Sequence, residues 1–151
     1  MLLSNDRSDE MVTNPTRVVI AEDNELVRKG IRRLLNKAED ITVVGEAKDG
    51  MEAMKLVDKL SPDLLLLDVE MPRLSGIEVA RRLNKNKSKT RVLVLSAYDD
   101  HEYIQEMLTN GASGYLIKDE APQRIVEAVR GVALGENDWV SPQVKNRLKK
   151  N

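Results

Sequence analysis

The sequence has 151 residues, 41% of them hydrophobic and 32% charged, with a formal net charge of −1. That length suits one ordinary domain and not two well-cored ones, and near-neutrality supplies no global field toward nucleic acid or membrane. The lack of cysteine excludes disulfides, thiolate metal sites and a cysteine nucleophile and fits a reducing cytoplasm, while a single histidine, His101, excludes a multi-histidine metal centre.

Residues 1–15 are polar with an acidic lean, Asp6, Asp9 and Glu10 against Arg7, and lack the apolar core of a signal peptide. They read as a disordered leader, and Met11 would serve equally as a start. No run approaches the ~20 apolar residues needed to cross a bilayer.

From Arg17 the chain alternates between two periodicities. Short apolar runs occur at Val18-Val19-Ile20-Ala21, Ile41-Thr42-Val43-Val44, Leu64-Leu65-Leu66-Leu67, Val92-Leu93-Val94-Leu95 and Tyr115-Leu116-Ile117. They are continuous, which predicts strands buried on both faces of a parallel sheet. Between them, Val27, Ile31, Leu34 and Leu35 recur at helical spacing, as do Ala53, Val57 and Leu60, and Ile125, Ala128, Val129 and Val132. Asp49 with Glu52, Ser75 with Glu78, and Asp99 with Glu102 match capping boxes. Pro122 suits a first helical turn, and Gly111 and Gly135 suit helix ends.

The pattern is therefore a β-strand and an α-helix repeated five times over residues 16–135. It predicts an α/β domain with an open, doubly wound five-stranded parallel sheet and helices on both faces, for which the flavodoxin-like order 2-1-3-4-5 is one common arrangement. Residues 136–151 read as a linker and the start of a basic helix, with Ser141 as cap and Pro142 in its first turn, leading toward a further domain.

Polar residues collect where the strands end. The first runs into Glu22-Asp23, the third into Asp68, the fourth into Ser96 and the fifth into Lys118. In an open α/β sheet these carboxyl ends share one edge, and ligands bind where strand order reverses. Three carboxylates there repel one another; at ~4 Å each pair costs about 4 kcal/mol at an effective dielectric of about 20. Lys118 offsets part of that charge and a divalent ion would offset the rest. An all-oxygen donor set favours Mg2+, with Mn2+ as a substitute, and Mg2+ pairs with phosphate oxygens. A carboxylate can also accept a phosphoryl group as an aspartyl phosphate, which assigns Asp68 as nucleophile with Lys118 and Ser96 beside it.

Several segments name a family. Val18-Val19-Ile20-Ala21-Glu22-Asp23-Asn24, Leu64 to Pro72 with Ser75-Gly76, Val94-Leu95-Ser96-Ala97, and Gly111 to Asp119 resemble the receiver domains of bacterial two-component response regulators. Val43-Val44-Gly45-Glu46-Ala47 followed by Asp49-Gly50 resembles the NarL/FixJ group within it. The resemblance implies that Asp68 accepts a phosphoryl group from a sensor histidine kinase. It implies that Asp23, Asp68 and the Glu70 backbone carbonyl hold the metal directly, with Glu22 acting mostly through water. Ser96, Ala97 and Lys118 would contact the phosphoryl group, with Ser96 shifting and Tyr115 rotating inward. Glu70 and Tyr98 would tune the phosphate's lifetime. Phosphorylation would promote a homodimer, with Ile125, Val129 and Arg130 as contacts. DNA would be bound only through a LuxR-type helix-turn-helix domain that this chain lacks, in the cytoplasm and away from the membrane.

Other readings stay open at this point. Asp68-Val69-Glu70 loosely mimics the Asp-x-Asp loop of haloacid-dehalogenase-type phosphohydrolases, though these carry a cap and more chain. A phosphorylation-independent interaction module is a third class. The basic run from Arg81 to Arg91 reads as the solvated end of a helix and its loop rather than a nucleic-acid patch.

Overall fold

The structure is a computed structural model that describes residues 14–71, 73–136 and 139–149. All but the last two residues of the expected leader fall outside the described residues, as do Pro72, residues 137–138 and residues 150–151.

Strands and helices alternate as the periodicities predict: β1 (Thr16–Ala21), α1 (Glu25–Asn36), β2 (Ile41–Ala47), α2 (Gly50–Leu60), β3 (Leu64–Asp68), α3 (Gly76–Lys85), β4 (Arg91–Ser96), α4 (His101–Thr109), β5 (Gly114–Ile117) and α5 (Ala121–Ala133). A single 3-10 turn, Lys118–Glu120, joins β5 to α5. All strand pairs are parallel, and the order is β2-β1-β3-β4-β5-β6. The sheet thus holds the expected order and adds a sixth strand, β6 (Trp139–Val140), beside β5. It is followed by α6 (Pro142–Lys149).

The sixth strand is an addition to the reading of residues 136–151 as a linker and the start of a helix. Two residues are too short to show a period, and their pairing depends on β5. The cap at Ser141 does form: Ser141 Oγ accepts the Val144 N–H at 3.3 Å and donates to Glu120. Val144 is completely buried and joins Ile104, Met107 and Tyr115 in the core.

Side chains alternate across the sheet, as pleating requires. Val19, Ala21, Leu65, Leu67, Val92, Val94 and Tyr115 face the layer formed by α2, α3, α4 and α6. Val18, Ile20, Leu64, Leu66, Leu93 and Leu116 face α1 and α5. At about 25 cal/mol per Å2 of apolar surface, burying each such side chain contributes about 1.5–3 kcal/mol. β2, like β6 at the opposite edge, departs from two-sided burial. It forms an edge, and Val43 to Glu46 are only partly covered.

Ile125 and Val129 are 1% and 0% exposed, packed under the sheet with Ile31 and Leu35 of α1. They are core residues of one chain and do not present a dimer surface. Helical spacing identified the apolar face of α5 but not what it covers. Arg130 is exposed, and its guanidinium makes two 2.8 Å bonds to the Asp40 carboxylate. That pairing lowers the Asp40 pKa.

The caps also separate. Asp49 Oδ1 accepts the Glu52 N–H at 2.9 Å, and Ser75 Oγ accepts that of Glu78 at 3.4 Å. Asp99 does not cap α4, whose N-cap is Asp100. Its carboxylate instead accepts from Arg147 of α6 at 3.0 Å. Gly111 and Gly135 close their helices with φ of 102° and 95°, a region that glycine enters without strain.

Candidate phosphoacceptor and metal site

Strand order reverses between β1 and β3, so their carboxyl ends flank a crevice. β1 delivers Glu22 and Asp23 there, and β3 ends on Asp68. Carboxylate oxygens from these three residues lie within 4.8 Å of one another. Glu22 and Asp68 are 1% and 2% exposed, while Asp23 faces solvent.

Short local bonds fix this geometry. Glu22 Oε2 accepts the Asn24 N–H at 3.0 Å, and Asp68 Oδ1 accepts the Glu70 N–H at 3.2 Å. Asn24 caps α1 by accepting the Val27 N–H. The loop after Asp68 returns tightly: the Gly76 N–H bonds the Val69 carbonyl at 3.2 Å. A Cβ on Gly76 would stand 2.6 Å from Val69 Cα and 2.7 Å from the Asp68 carbonyl oxygen. Glycine is needed there because the backbones of α3 and the acceptor loop touch.

Lys118 Nζ stands 3.4 Å from both Glu22 Oε1 and Asp68 Oδ1. Partial burial works against its charge, but the attraction of Asp68 and Glu22 outweighs that and raises its pKa. Burial, reinforced by the neighbouring Asp68 charge, pushes the Glu22 carboxyl up to about 7. Among the described residues, Glu22 Oε1 is the buried side-chain polar atom without a hydrogen-bond partner. One ammonium therefore serves two buried carboxylates, and Glu22 Oε1 has that ion pair but no hydrogen bond. An all-carboxylate donor set with a residual negative charge and a buried oxygen that lacks a hydrogen bond fits a hard divalent cation such as Mg2+.

The remaining predicted residues lie along the neighbouring strand ends. Ser96 is fully buried, and its Oγ accepts the Tyr98 N–H at 3.0 Å. Ala97 is exposed. Tyr115 is fully buried, with its hydroxyl donating to the Tyr98 carbonyl at 2.7 Å, and burial raises its pKa. The inward placement that the resemblance ties to phosphorylation is thus the placement seen here. Tyr98 is 42% exposed and its ring lies 5.1 Å from that of Tyr103. The nearby Glu70 carboxylate raises the Tyr98 pKa. The two residues expected to tune lifetime therefore face each other beside Asp68.

One group of residues at this edge was not read from the sequence. Arg28, Glu46 and Arg32 form an ion-pair chain that reaches the Glu22 carbonyl. Arg28 and Arg32 share a face of α1, but their link to Glu46 depends on β2 lying beside β1.

Comparisons agree with this geometry. Residues 18–130 match the family model for the response regulator receiver domain. The chain is 37% identical over 141 residues to the transcriptional regulatory protein DegU of Brevibacillus brevis, covering 93% of this chain and 59% of that one. It is similar in structure to the signal receiver domain of NarL from Mycobacterium tuberculosis, with a TM-score of 0.78 and 39% identity over 81% of this chain and 98% of that one. A LuxR-family two-component response regulator from Aurantimonas sp. SI85-9A1 aligns with a TM-score of 0.85 and 28% identity, covering 90% of this chain and 96% of that one. The chain spans between 55% and 65% of the length of the first curated relatives it matches. No helix among the described residues is long and apolar enough to cross a membrane. Fold, strand-end carboxylates and sequence similarity converge: the chain belongs to the receiver domains of two-component response regulators, among those of the NarL/LuxR type.

Proposed function

We propose that this domain is a phosphorylation switch in which Asp68 accepts a phosphoryl group from a sensor histidine kinase. The observation that carries the reading is the buried Asp68 carboxylate, gathered with Glu22 and Asp23 within 4.8 Å and neutralised on one side by Lys118 at 3.4 Å. An Asp68 oxygen attacks phosphorus, the donor's N–P bond breaks, and the imidazole leaves with the electron pair. Lys118 stabilises the charge on the phosphoryl oxygens before and after transfer. Glu22, Asp23, Asp68 and the Glu70 carbonyl would hold Mg2+, which supplies charge neutralisation when bound. Ser96 and the segment at Ala97 meet the new phosphoryl group, and Tyr115 and Tyr98 respond.

Glu70 and Tyr98 shape access of water to the acyl phosphate and so set its lifetime. The output is control of transcription in the cytoplasm, through dimerisation and a helix-turn-helix effector domain beyond this chain. Dimerisation uses exposed surface such as Arg130 rather than the buried Ile125 and Val129. The protein acts as a switch and turns over no metabolite.

Incubation with acetyl phosphate and Mg2+, followed by intact mass measurement, tests the reading. A gain of one phosphoryl group, lost in Asp68→Asn and with chelator, is expected. No gain under conditions where another receiver labels would move the interaction-module reading to the front. Sustained release of phosphate from a phosphomonoester would favour the phosphohydrolase class instead.

A further inference from the structure

Glu22 and Asp23 sit on a short turn between β1 and α1, and a turn of that kind does not fix two adjacent carboxylates by itself. The Glu22 N–H is tied to the Ala47 carbonyl of β2 at 3.0 Å. The other side of the turn is held by Arg28. Its Nη1 donates to the Glu22 carbonyl at 2.8 Å, and its Nε donates to Glu46 Oε1 at 3.1 Å. Glu46 Oε2 accepts from Arg32 Nη1 at 2.8 Å. The Arg28 side chain is only 13% exposed. One planar guanidinium thus bridges the end of β2 to the peptide that joins the two carboxylates, a task its rigid fork suits and a single ammonium does not.

We propose that Arg28, oriented by Glu46 and Arg32, is a positioning residue that presents Glu22 and Asp23 to a divalent cation. This rests on the reading of the acidic cluster as a Mg2+ site. Arg28 makes no contact with a carboxylate of the cluster; its effect runs through the Glu22 carbonyl. Partners that orient ligands in this way typically alter metal affinity by about 10–100-fold.

Three roles for Arg28 predict different signs. As a plain cation near three carboxylates, it repels Mg2+, and its removal would tighten binding. As a strut for the fold alone, its loss would lower the unfolding temperature and leave Mg2+ affinity unchanged. As a positioning residue, its loss weakens Mg2+ binding in protein that is still folded, against the electrostatic trend.

The experiment titrates the full chain with Mg2+ alone, following backbone amide shifts at Asp23 and Asp68 by NMR, alongside a thermal unfolding curve. Arg28→Met is expected to weaken Mg2+ binding about tenfold. Arg32→Met, which leaves the Arg28 bond to the Glu22 carbonyl but frees one Glu46 oxygen, is expected to weaken it less and in the same direction. Unchanged or tighter binding in folded Arg28→Met overturns the proposal. Should that variant fail to fold, unchanged or tighter binding in Arg32→Met overturns it. A wild-type chain with no Mg2+ response at millimolar concentrations would remove the cluster's reading as a metal site, and this inference with it.

Discussion

Glu22 and Ser141 are both buried polar side chains, 1% and 0% exposed, and they stand at opposite ends of the satisfaction scale. Ser141 bonds Glu120 and the Val144 N–H, so both its donor and acceptor capacity are used. Glu22 keeps one oxygen without a hydrogen bond, its ion pair to an ammonium shared with Asp68 aside, and has its pKa pushed to about 7. Buried polar groups without partners are destabilising. At the C-terminal addition, β6 and α6, polarity serves the fold. At the β1/β3 edge polarity is held at the expense of stability, and a cation with a phosphoryl group would complete it. The comparison separates stability from chemistry: changes at α6 are expected to weaken the fold and spare phosphoryl uptake, and changes at the acidic edge to do the reverse.

The largest effect is expected from Lys118→Ala. Losing the ammonium that pairs with Asp68 should slow labelling by acetyl phosphate about 10²–10³-fold, by analogy with removing one preorganised donor. Labelling time courses by intact mass check this, and an unchanged rate would mean Lys118 plays no part in transfer. Next, Val144→Ala removes two buried methyl groups from the layer around Ile104, Met107 and Tyr115. A loss of about 2 kcal/mol is expected, lowering the unfolding midpoint by several degrees, while the labelling rate stays within twofold. A large fall in labelling without loss of stability would join α6 to the chemistry and erase the distinction.

Glu22 sharpens the comparison through pH. Its folded pKa of about 7 lies above the ordinary 4.5. Such a group contributes stability that is fully present below 4.5 and is lost as pH rises through about 7. In metal-free protein, the advantage of Glu22→Gln over wild type should therefore grow across that window. Mg2+ should close the gap at pH 7, since the cation favours the ionised carboxylate. Unfolding midpoints measured with chelator and with Mg2+ test both halves; a pH-independent difference would contradict the burial argument. The smallest effect is expected at the α6 ion pair. Arg147 and Asp99 side chains are 48% and 36% exposed, and such pairs contribute about 0–1 kcal/mol. Arg147→Ala should shift the midpoint by no more than a few degrees, and high salt should remove most of that difference.

Much of this edge was legible in the sequence because strand ends carry it. Asp68 closes a four-leucine run, Glu22 and Asp23 follow Ala21, and Ser96 and Lys118 each follow an apolar strand, so topology alone brings them to one edge. Five of the six strands were legible because their apolar runs are continuous, whereas their order came with the doubly wound fold and from no feature of the runs. What escaped depends on neighbours in space. β6 is two residues long and exists through its bonds to β5. Periodicity placed Ile125 and Val129 on an apolar face but could not say that α1 and the sheet, rather than a second chain, cover it. Asp99 carries the spacing of a cap, yet Arg147 lies within reach and takes its carboxylate. Arg28 of α1 meets Glu46 of β2, a contact with no signature along the chain.

Chemical mapping of the phosphoryl acceptor tests the central claim most directly. The full chain would be labelled with acetyl phosphate and Mg2+, reduced with borohydride, digested and sequenced by mass spectrometry. An acyl phosphate on Asp68 converts that residue to homoserine, and homoserine at position 68, absent when Mg2+ is chelated, is the result expected here. Homoserine at another carboxylate, or no reduction product in protein that is folded and exposed to donor and metal, would contradict the account.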